Sequence, residues 1–460
     1  MRTVRDPQCV LAEGLAAIRV QYQLPATFPA AAEAEAVEAA RRRPDQHADR
    51  TALPFVTLDP AESRDLDQAF AIERSGGDLI LHYAIADVGW FVADGGPMDA
   101  EAWLRGTTQY LPDGKAPLYP PALSEGAASL LPDGDRPAVV FTVRVDPAGE
   151  ARLDGAERAL IRSRAKLAYE SATEDQLPAE LGELARRVEA AERARGGARV
   201  DPPEQEVVRE DGCYRLRFRP IEASEQHNAA LSLATNLAVA QALLAARTGL
   251  FRTMDEPMEW AVRRLHHTAK ALGIDWPKKE PLQQLERRLD PKDHDQAALM
   301  IAIRRASPGA AYQPYRDGVP PWHAAVAAAY VHATAPLRRL ADRFVVEAAL
   351  AVANGQPVPE AAQAAFEQLP AVMAKADSLA GQVNRAVIDL AEAVALAGRE
   401  GERFDAVVTD VDQRGARIQL CAPPVVARLK DKGLVPGQQL TVRLDRADPA
   451  TRLIHFSAAG

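Results

Sequence analysis

The chain has 460 residues, too many for one hydrophobic core and enough for two or three domains. Hydrophobic residues make up 47% and charged residues 26%, which excludes a disordered or fibrous chain. A net charge of −9 argues against a uniformly basic nucleic-acid binder but leaves local patches open; nine lysines leave 46 arginines among the 55 basic residues, and although arginine suits bidentate phosphate contacts, the joint abundance of Ala and Arg reads first as genomic base composition.

No run of about 18 apolar residues is present, so no membrane partner is expected. The stretch from Met1 to Pro7 lacks the apolar core of a signal peptide, which predicts a cytoplasmic location. Cys9, Cys213 and Cys421 lie far apart and suggest neither a metal-ligand pair nor a disulfide framework.

Residues 8–22 carry Val10, Leu11, Leu15, Ile18 and Val20 at helical spacing, and the segment Leu24 to Pro29 breaks the pattern. Residues 30–43 are rich in Ala and Glu and predict a second helix, with Arg41, Arg42 and Arg43 at the negative end of its dipole. Two helices around a short turn make a helical N-terminal module over 1–50. It reads either as helix-turn-helix-like or as a helical hairpin packed on the main domain.

Residues 51 to about 165 read as sheet. Leu53 to Leu58 has the pattern of a buried strand, Ala69 to Ile72 starts another, and Gly76-Gly77 marks a hairpin into Leu79–Ala86. Between the first two apolar runs stand Asp59, Asp65, Asp67 and Gln68. Carboxylates between buried strands are costly unless something positive neutralises them. Hard oxygen ligands favour magnesium, or manganese in its place. A solvated acidic turn is the plain alternative, and a calcium loop lacks the Gly and bidentate Glu it needs. If this stretch is strand, Asp65 and Asp67 share a face.

Further strands are expected over Pro137–Val145 and Ala159–Ser163, a charged amphipathic helix over 179–195, and a hairpin over 205–219 turning at Glu210 to Gly212. From 226 to about 400 the pattern is mainly helical. Thr334-Ala335-Pro336 reads as a helix start leading to Ala353, with Asn354-Gly355 as the stop. Five short alternating strands over 401–460 fit an OB-type barrel or a plain β-domain.

A second polar group comprises His323, Tyr330, His332, Thr334, Arg338, Arg339 and Asp342. Arginines in a first helical turn oppose the dipole, so an anionic ligand, or salt bridges to carboxylates such as Asp342, must compensate them. His323 and His332 read equally as phosphate contacts or as parts of the fold.

At this point the chain resembles the ribonuclease II/ribonuclease R (RNB-domain) exoribonucleases. The resemblance rests on blocks in family order: Val56 to Asp59 with Arg64 to Asp67, Leu81 to Val88, Arg105 to Pro112, Pro121 to Ser124, Ile161 to Tyr169, and Tyr330 to Arg339. It implies an α+β fold with a catalytic RNB-type domain over 51–400, a C-terminal S1/OB-type barrel over 401–460 and the helical module in front. It implies metal-dependent, processive 3′→5′ hydrolysis of single-stranded RNA to nucleoside 5′-monophosphates by a magnesium-dependent monomer. Asp59, Asp65 and Asp67 fall on the family's metal and catalytic aspartates, and Gln68 on a further metal ligand. Arg338 falls on the arginine at the scissile phosphate and Tyr110 on the aromatic that stacks on the terminal base; Tyr169 is a second channel aromatic. Arg339, His323 and His332 complete the expected RNA contacts.

The departures are specific. Gln68 stands where the family has a second adjacent aspartate, and Ala229-Ala230 where it has glutamates. No aromatic stands near Glu206-Val207, where a second base-stacking ring is expected. About 50 leading residues cannot hold tandem cold-shock barrels. The shorter entry path predicts trimming of 3′ overhangs closer to a duplex. A catalytically impaired RNA-binding protein on the same fold, or a metal-dependent DNA phosphodiesterase, are the competing readings.

Overall fold

The structure is a computed structural model that describes residues 10–132, 134–198, 205–210, 213–219, 222–291, 293–412, 414–431 and 433–459. Helix α1 (Val10–Gln21) buries Leu11, Leu15 and Ile18 on one stripe, and α2 (Ala30–Ala39) buries Ala32, Ala36 and Ala39. The two stripes enter different cores. That of α1 joins the core of the C-terminal barrel, and that of α2 joins the core of the N-terminal sheet. The module expected over 1–50 is therefore divided, because neither narrow stripe finds its partner in the other helix.

The N-terminal sheet has the order β1-β8-β7-β4-β3. Its strands are β1 (Ala48–Asp49), β3 (Gln68–Ser75), β4 (Asp78–Ala86), β7 (Arg136–Val145) and β8 (Ala151–Ile161), with β2 (Thr57–Asp59) beside it. Gly76 turns the β3–β4 hairpin at φ +62°, a conformation open to glycine at little cost. The strand expected from Leu53 begins only at Thr57; Val56 makes a single bridge to Phe70, and Pro54 has no N–H to donate. Asp65 and Asp67 lie in the loop before β3 rather than on a strand.

After β4 come the single turn α3 (Val88–Phe91) and α4 (Pro97–Arg105). The small hairpin β5 (Gln109–Leu111) and β6 (Gly114–Ala116) follows, and β9 (Lys166–Ala168) later pairs with β2 in parallel. Helix α5 (Leu181–Arg195) lies on the outside, and β10 (Gln205–Glu210) pairs with β11 (Cys213–Phe218) as expected. The turn of that hairpin falls outside the described residues.

Helix α6 (Ala223–Ala245) runs through the core. It is long and apolar enough in composition to cross a membrane, yet 61% of its apolar window is buried inside the fold, and it carries buried Asn228, Thr235 and Asn236. Strand β12 (Leu250–Thr253) pairs with β13 (Ala311–Pro314), and between them stand α7 (Glu259–Ala271), α8 (Leu282–Glu286) and α9 (His294–Ala306). These three helices enclose a small core of their own around Leu265, Leu285, Leu299 and Ile303.

Helix α10 (Leu340–Ala353) starts later than Thr334-Ala335-Pro336 suggested. Asp342 accepts the N–H groups of Thr334 and Ala335, folding them back over the first helical turn. Leu340 donates its N–H to Gly106 and Arg339 bridges Thr107, which holds Arg339 extended at φ −133°. Helix α11 (Glu360–Leu396) is about 55 Å long at 1.5 Å per residue. It contributes Leu369 and Met373 to the core of the N-terminal sheet, and residues between Val383 and Leu396 to the barrel core.

The barrel strands are β14 (Arg403–Asp412), β15 (Gly415–Leu420), β16 (Val426–Leu429), β17 (Gln439–Asp448) and β18 (Leu453–Ala458). Their order is β16-β15-β14-β17-β18, and β16 comes back against β18. Irregular register at Val408/Asp410 and at Leu444/Arg446 curves the sheet towards closure.

Candidate active site

Two chain segments meet at the site: the loop into β3 and the turn before α10. Asp67 is buried, and its carboxylate accepts the Leu337 N–H at 2.7 Å and lies 3.3 Å from Nε of Arg338. Burial pushes Asp67 up to about 8 against the pull of Arg338 and the Leu337 N–H. Asp59 ends β2. Burial pushes it up to about 6, again opposed by Arg338, and its Oδ2 is buried without a hydrogen-bond partner. Arg338 is the guanidinium that acts on both, and 46% of its side chain remains exposed. It can therefore hold a carboxylate on one side and receive an anion on the other.

Asp65 faces a different cation. The ammonium of Lys115, on β6, lies 2.8 Å from its carboxylate and 2.9 Å from Glu125. The phenol of Tyr110, on β5, donates to the other oxygen of Asp65 at 3.1 Å. The Tyr110 side is open, with the residue 55% exposed, so a ring is presented to solvent while its hydroxyl is anchored. Tyr169 follows β9; its N–H donates to the Asp59 carbonyl, and its hydroxyl accepts from Asn228 at 2.7 Å.

Four expected contacts have other roles. The Gln68 amide donates to the Thr334 carbonyl at 2.6 Å and its oxygen accepts the Tyr83 hydroxyl at 2.5 Å. The oxygen expected on a metal is thus engaged in a neutral network that continues to Ser232 and Thr334. Arg339 makes a two-point pair with the buried Asp342, at 3.0 and 2.8 Å. Asp342 also fixes the turn, so Arg339 belongs to the framework rather than to an RNA surface. The imidazole of His332 is buried against Tyr312, 2.8 Å from its hydroxyl, and burial and the nearby arginines hold it neutral. His323 stands edge-on to Tyr330 and is pushed down to about 4 by burial and by Arg252. Neither imidazole is a cation for phosphate.

A divalent cation fits the chemistry of part of this set. Buried Asp67 and part-buried Asp59 share one arginine, and Oδ2 of Asp59 is buried with no partner, which leaves negative charge to be matched. Among the described residues no three acidic, imidazole or thiol groups converge as a ready metal cage. Lys115 and Tyr110 engage both oxygens of Asp65, whose charge nevertheless helps raise Asp59 and Asp67.

Sequence reasoning missed Lys115, Tyr83, Asn228 and Arg252. Lys115 alone left a signal, as one of nine lysines in an arginine-rich chain, five positions after Tyr110. The others are recognisable only once α6 and β12 are packed beside the site.

The RNB domain family matches residues 47–353, and the RNase II-type exonuclease C-terminal S1 domain matches residues 402–459. Ribonuclease R of Aquifex aeolicus is 28% identical over 437 residues, covering 87% of this chain and 60% of the relative. Ribonuclease R of Escherichia coli is 29% identical over 354 residues, covering 70% and 42%. The chain thus spans about 60% or less of the length of these curated relatives. Among solved structures, Mycoplasma genitalium RNase R in complex with ribose-methylated single-stranded RNA has a TM-score of 0.86 at 19% identity, covering 98% of this chain and 78% of that one. Yeast Ssd1, a pseudonuclease, has a TM-score of 0.68 at 17% identity, covering 98% and 58%. These structural likenesses concern the fold.

Proposed function

This chain belongs to the RNB family of ribonuclease II/ribonuclease R proteins, and on that premise we propose that it hydrolyses single-stranded RNA from the 3′ end, processively, to nucleoside 5′-monophosphates. One observation carries the reading: a half-exposed guanidinium, Arg338, stands over buried Asp67 and part-buried Asp59, with the open ring of Tyr110 beside them.

Arg338 takes a non-bridging oxygen of the scissile phosphate on its open side and stabilises the charge that grows there. Asp67 holds the guanidinium in place through the contact at 3.3 Å. Tyr110 stacks on the terminal base, and its bond to Asp65 fixes the ring relative to the phosphate. Tyr169 lies on the Asp59 side, its hydroxyl oriented by Asn228. Asp59 and Asp67, with Asp65 once it leaves Lys115, would hold magnesium or manganese, which when bound supplies an activated water and neutralises charge at phosphorus. The protein works as a monomer in the cytoplasm.

The test is a time course with 5′-labelled single-stranded RNA and magnesium, run beside Asp67→Asn and a matched DNA oligonucleotide. A ladder shortening from the 3′ end, lost in the variant and absent with DNA, is the expected result. Lys115 on Asp65 and the occupied Gln68 favour a second reading, an impaired nuclease that still binds RNA. RNA that stays intact yet bound would establish that one instead.

A further inference from the structure

The turn that carries Arg338 is tied to a second chain segment. Thr107 donates its hydroxyl to the Arg338 carbonyl at 2.7 Å, and Thr108 donates its N–H to the same oxygen at 3.0 Å. Both lone pairs of that carbonyl are thereby used. Beyond Arg339, Leu340 donates its N–H to the Gly106 carbonyl at 3.0 Å, and Thr107 and Arg339 face each other as an antiparallel bridge. Residues 106–108 and 338–340 therefore form a short clasp between two segments more than 200 positions apart in the chain.

Each side of the clasp leads to one half of the nucleotide site. Arg338 lies in one side, and Tyr110 of β5 follows Thr107 closely on the other. The Tyr110 side is braced from behind. Thr108 accepts the Leu118 N–H on its hydroxyl at 3.0 Å, and Arg105 donates to the Pro117 and Thr27 carbonyls at 3.1 and 2.8 Å. A second tie between ring and guanidinium runs through the aspartate loop, from the Tyr110 hydroxyl to Asp65 and from Asp67 to Arg338. An Asp65 oxygen given to magnesium is no longer available to the phenol. The clasp contains no carboxylate, so it keeps its geometry in either state.

We propose that Thr107 is a positioning residue for the reaction: its hydroxyl fixes the Arg338 backbone against the strand of Tyr110 and so sets the distance from the guanidinium to the stacking ring. The proposal rests on the nuclease reading. A terminal nucleotide met at its base by Tyr110 and at its phosphate by Arg338 is held at two points, and a small misplacement of either slows the reaction out of proportion to the bond lost. Thr107 acts only through these two residues. Its effect should therefore vanish when the ring has no base to stack on.

The test uses the full chain with magnesium and two RNA strands that differ only at the 3′ end, one closing on an ordinary nucleotide and the other on an abasic ribose. The single-turnover rate of release of the terminal residue is measured on both. Thr107→Val keeps the side chain's shape and leaves the Thr108 N–H on the Arg338 carbonyl, so only the hydroxyl is lost. It should slow the ordinary strand about fivefold, the worth of one hydrogen bond, and leave the abasic strand as it is in the unaltered chain. Thr107→Ser should restore the rate, and in a Tyr110→Ala background Thr107→Val should cost nothing further. Equal loss on both strands, no loss on the ordinary one, or a serine variant as slow as the valine variant overturns the proposal. Thermal melting checks that each variant is folded, and Thr107→Ala gives the same comparison if the valine variant is not. If the unaltered chain shortens neither strand, the nuclease reading fails and this proposal with it; an unaltered chain that shortens RNA beside a valine variant that matches it overturns this proposal alone.

Discussion

Lys115 decides what Asp65 can do. Its ammonium is shared between Asp65 and Glu125, so Asp65 is already paired with a positive charge. Lys115→Met should tighten manganese binding to RNA-free protein by about tenfold, since one competing charge is removed; calorimetry that shows unchanged affinity would mean the two cations do not compete. Arg338→Ala should cost roughly 100-fold in kcat, the usual effect of removing one group that meets developing charge, with the 3′ ladder as readout. Gln68→Ala removes the donor to the Thr334 carbonyl and leaves the Tyr83 hydroxyl only Ser232, and should cost about 1–3 kcal/mol of stability. The residue scale is also where legibility was most uneven. Asp59, Asp65 and Asp67 drew attention as carboxylates between apolar runs, whereas Tyr110 was named only through the family resemblance. Gln68 and Arg339 were assigned to ligands because a sequence does not show that Tyr83 and Asp342 reach them first. The neutral state of His323 and His332 is likewise a product of burial, which spacing alone does not reveal.

At the scale of elements, patterns of period two and of helical period located most strands and helices, and the five barrel strands fell close to their expected places. The start of α10 did not, because its boundary is set by long-range ties to Gly106 and Thr107 rather than by Pro336. The α7–α9 unit was read only as helical, since a separate core of a dozen side chains has no local signature. The contact between α11 and β16 carries a pH dependence. Glu392 on α11 accepts from the Val426 N–H and is pushed up from 4.5 to about 7, so its neutral form is favoured in the folded chain. Stability from this group is present below the unfolded value and is lost as pH rises through about 7. Glu392→Gln keeps an acceptor for Val426 and should raise the melting temperature at pH 8 but not at pH 4. An equal shift at both pH values would mean that the charge is not the cause.

For the whole molecule, the expected cut at residue 400 follows the sequence pattern, but the packing does not respect it. Leu390 of α11 lies against Gly14 of α1, where a β-carbon would come within 2.5 Å, and both helices close the barrel core. Leu390→Ala should therefore destabilise by about 2–5 kcal/mol, the usual range for a buried leucine, and calorimetry should show one transition that shifts as a unit. A barrel peak that moves alone would show that the cores unfold independently. There is an evolutionary corollary. If α1 and the second half of α11 belong to the barrel as much as its five strands do, the unit that lineages can exchange is discontinuous. A chimera joined at residue 400 inherits half of an interface. One that carries residues 10–24 and 383–459 together inherits the whole of it.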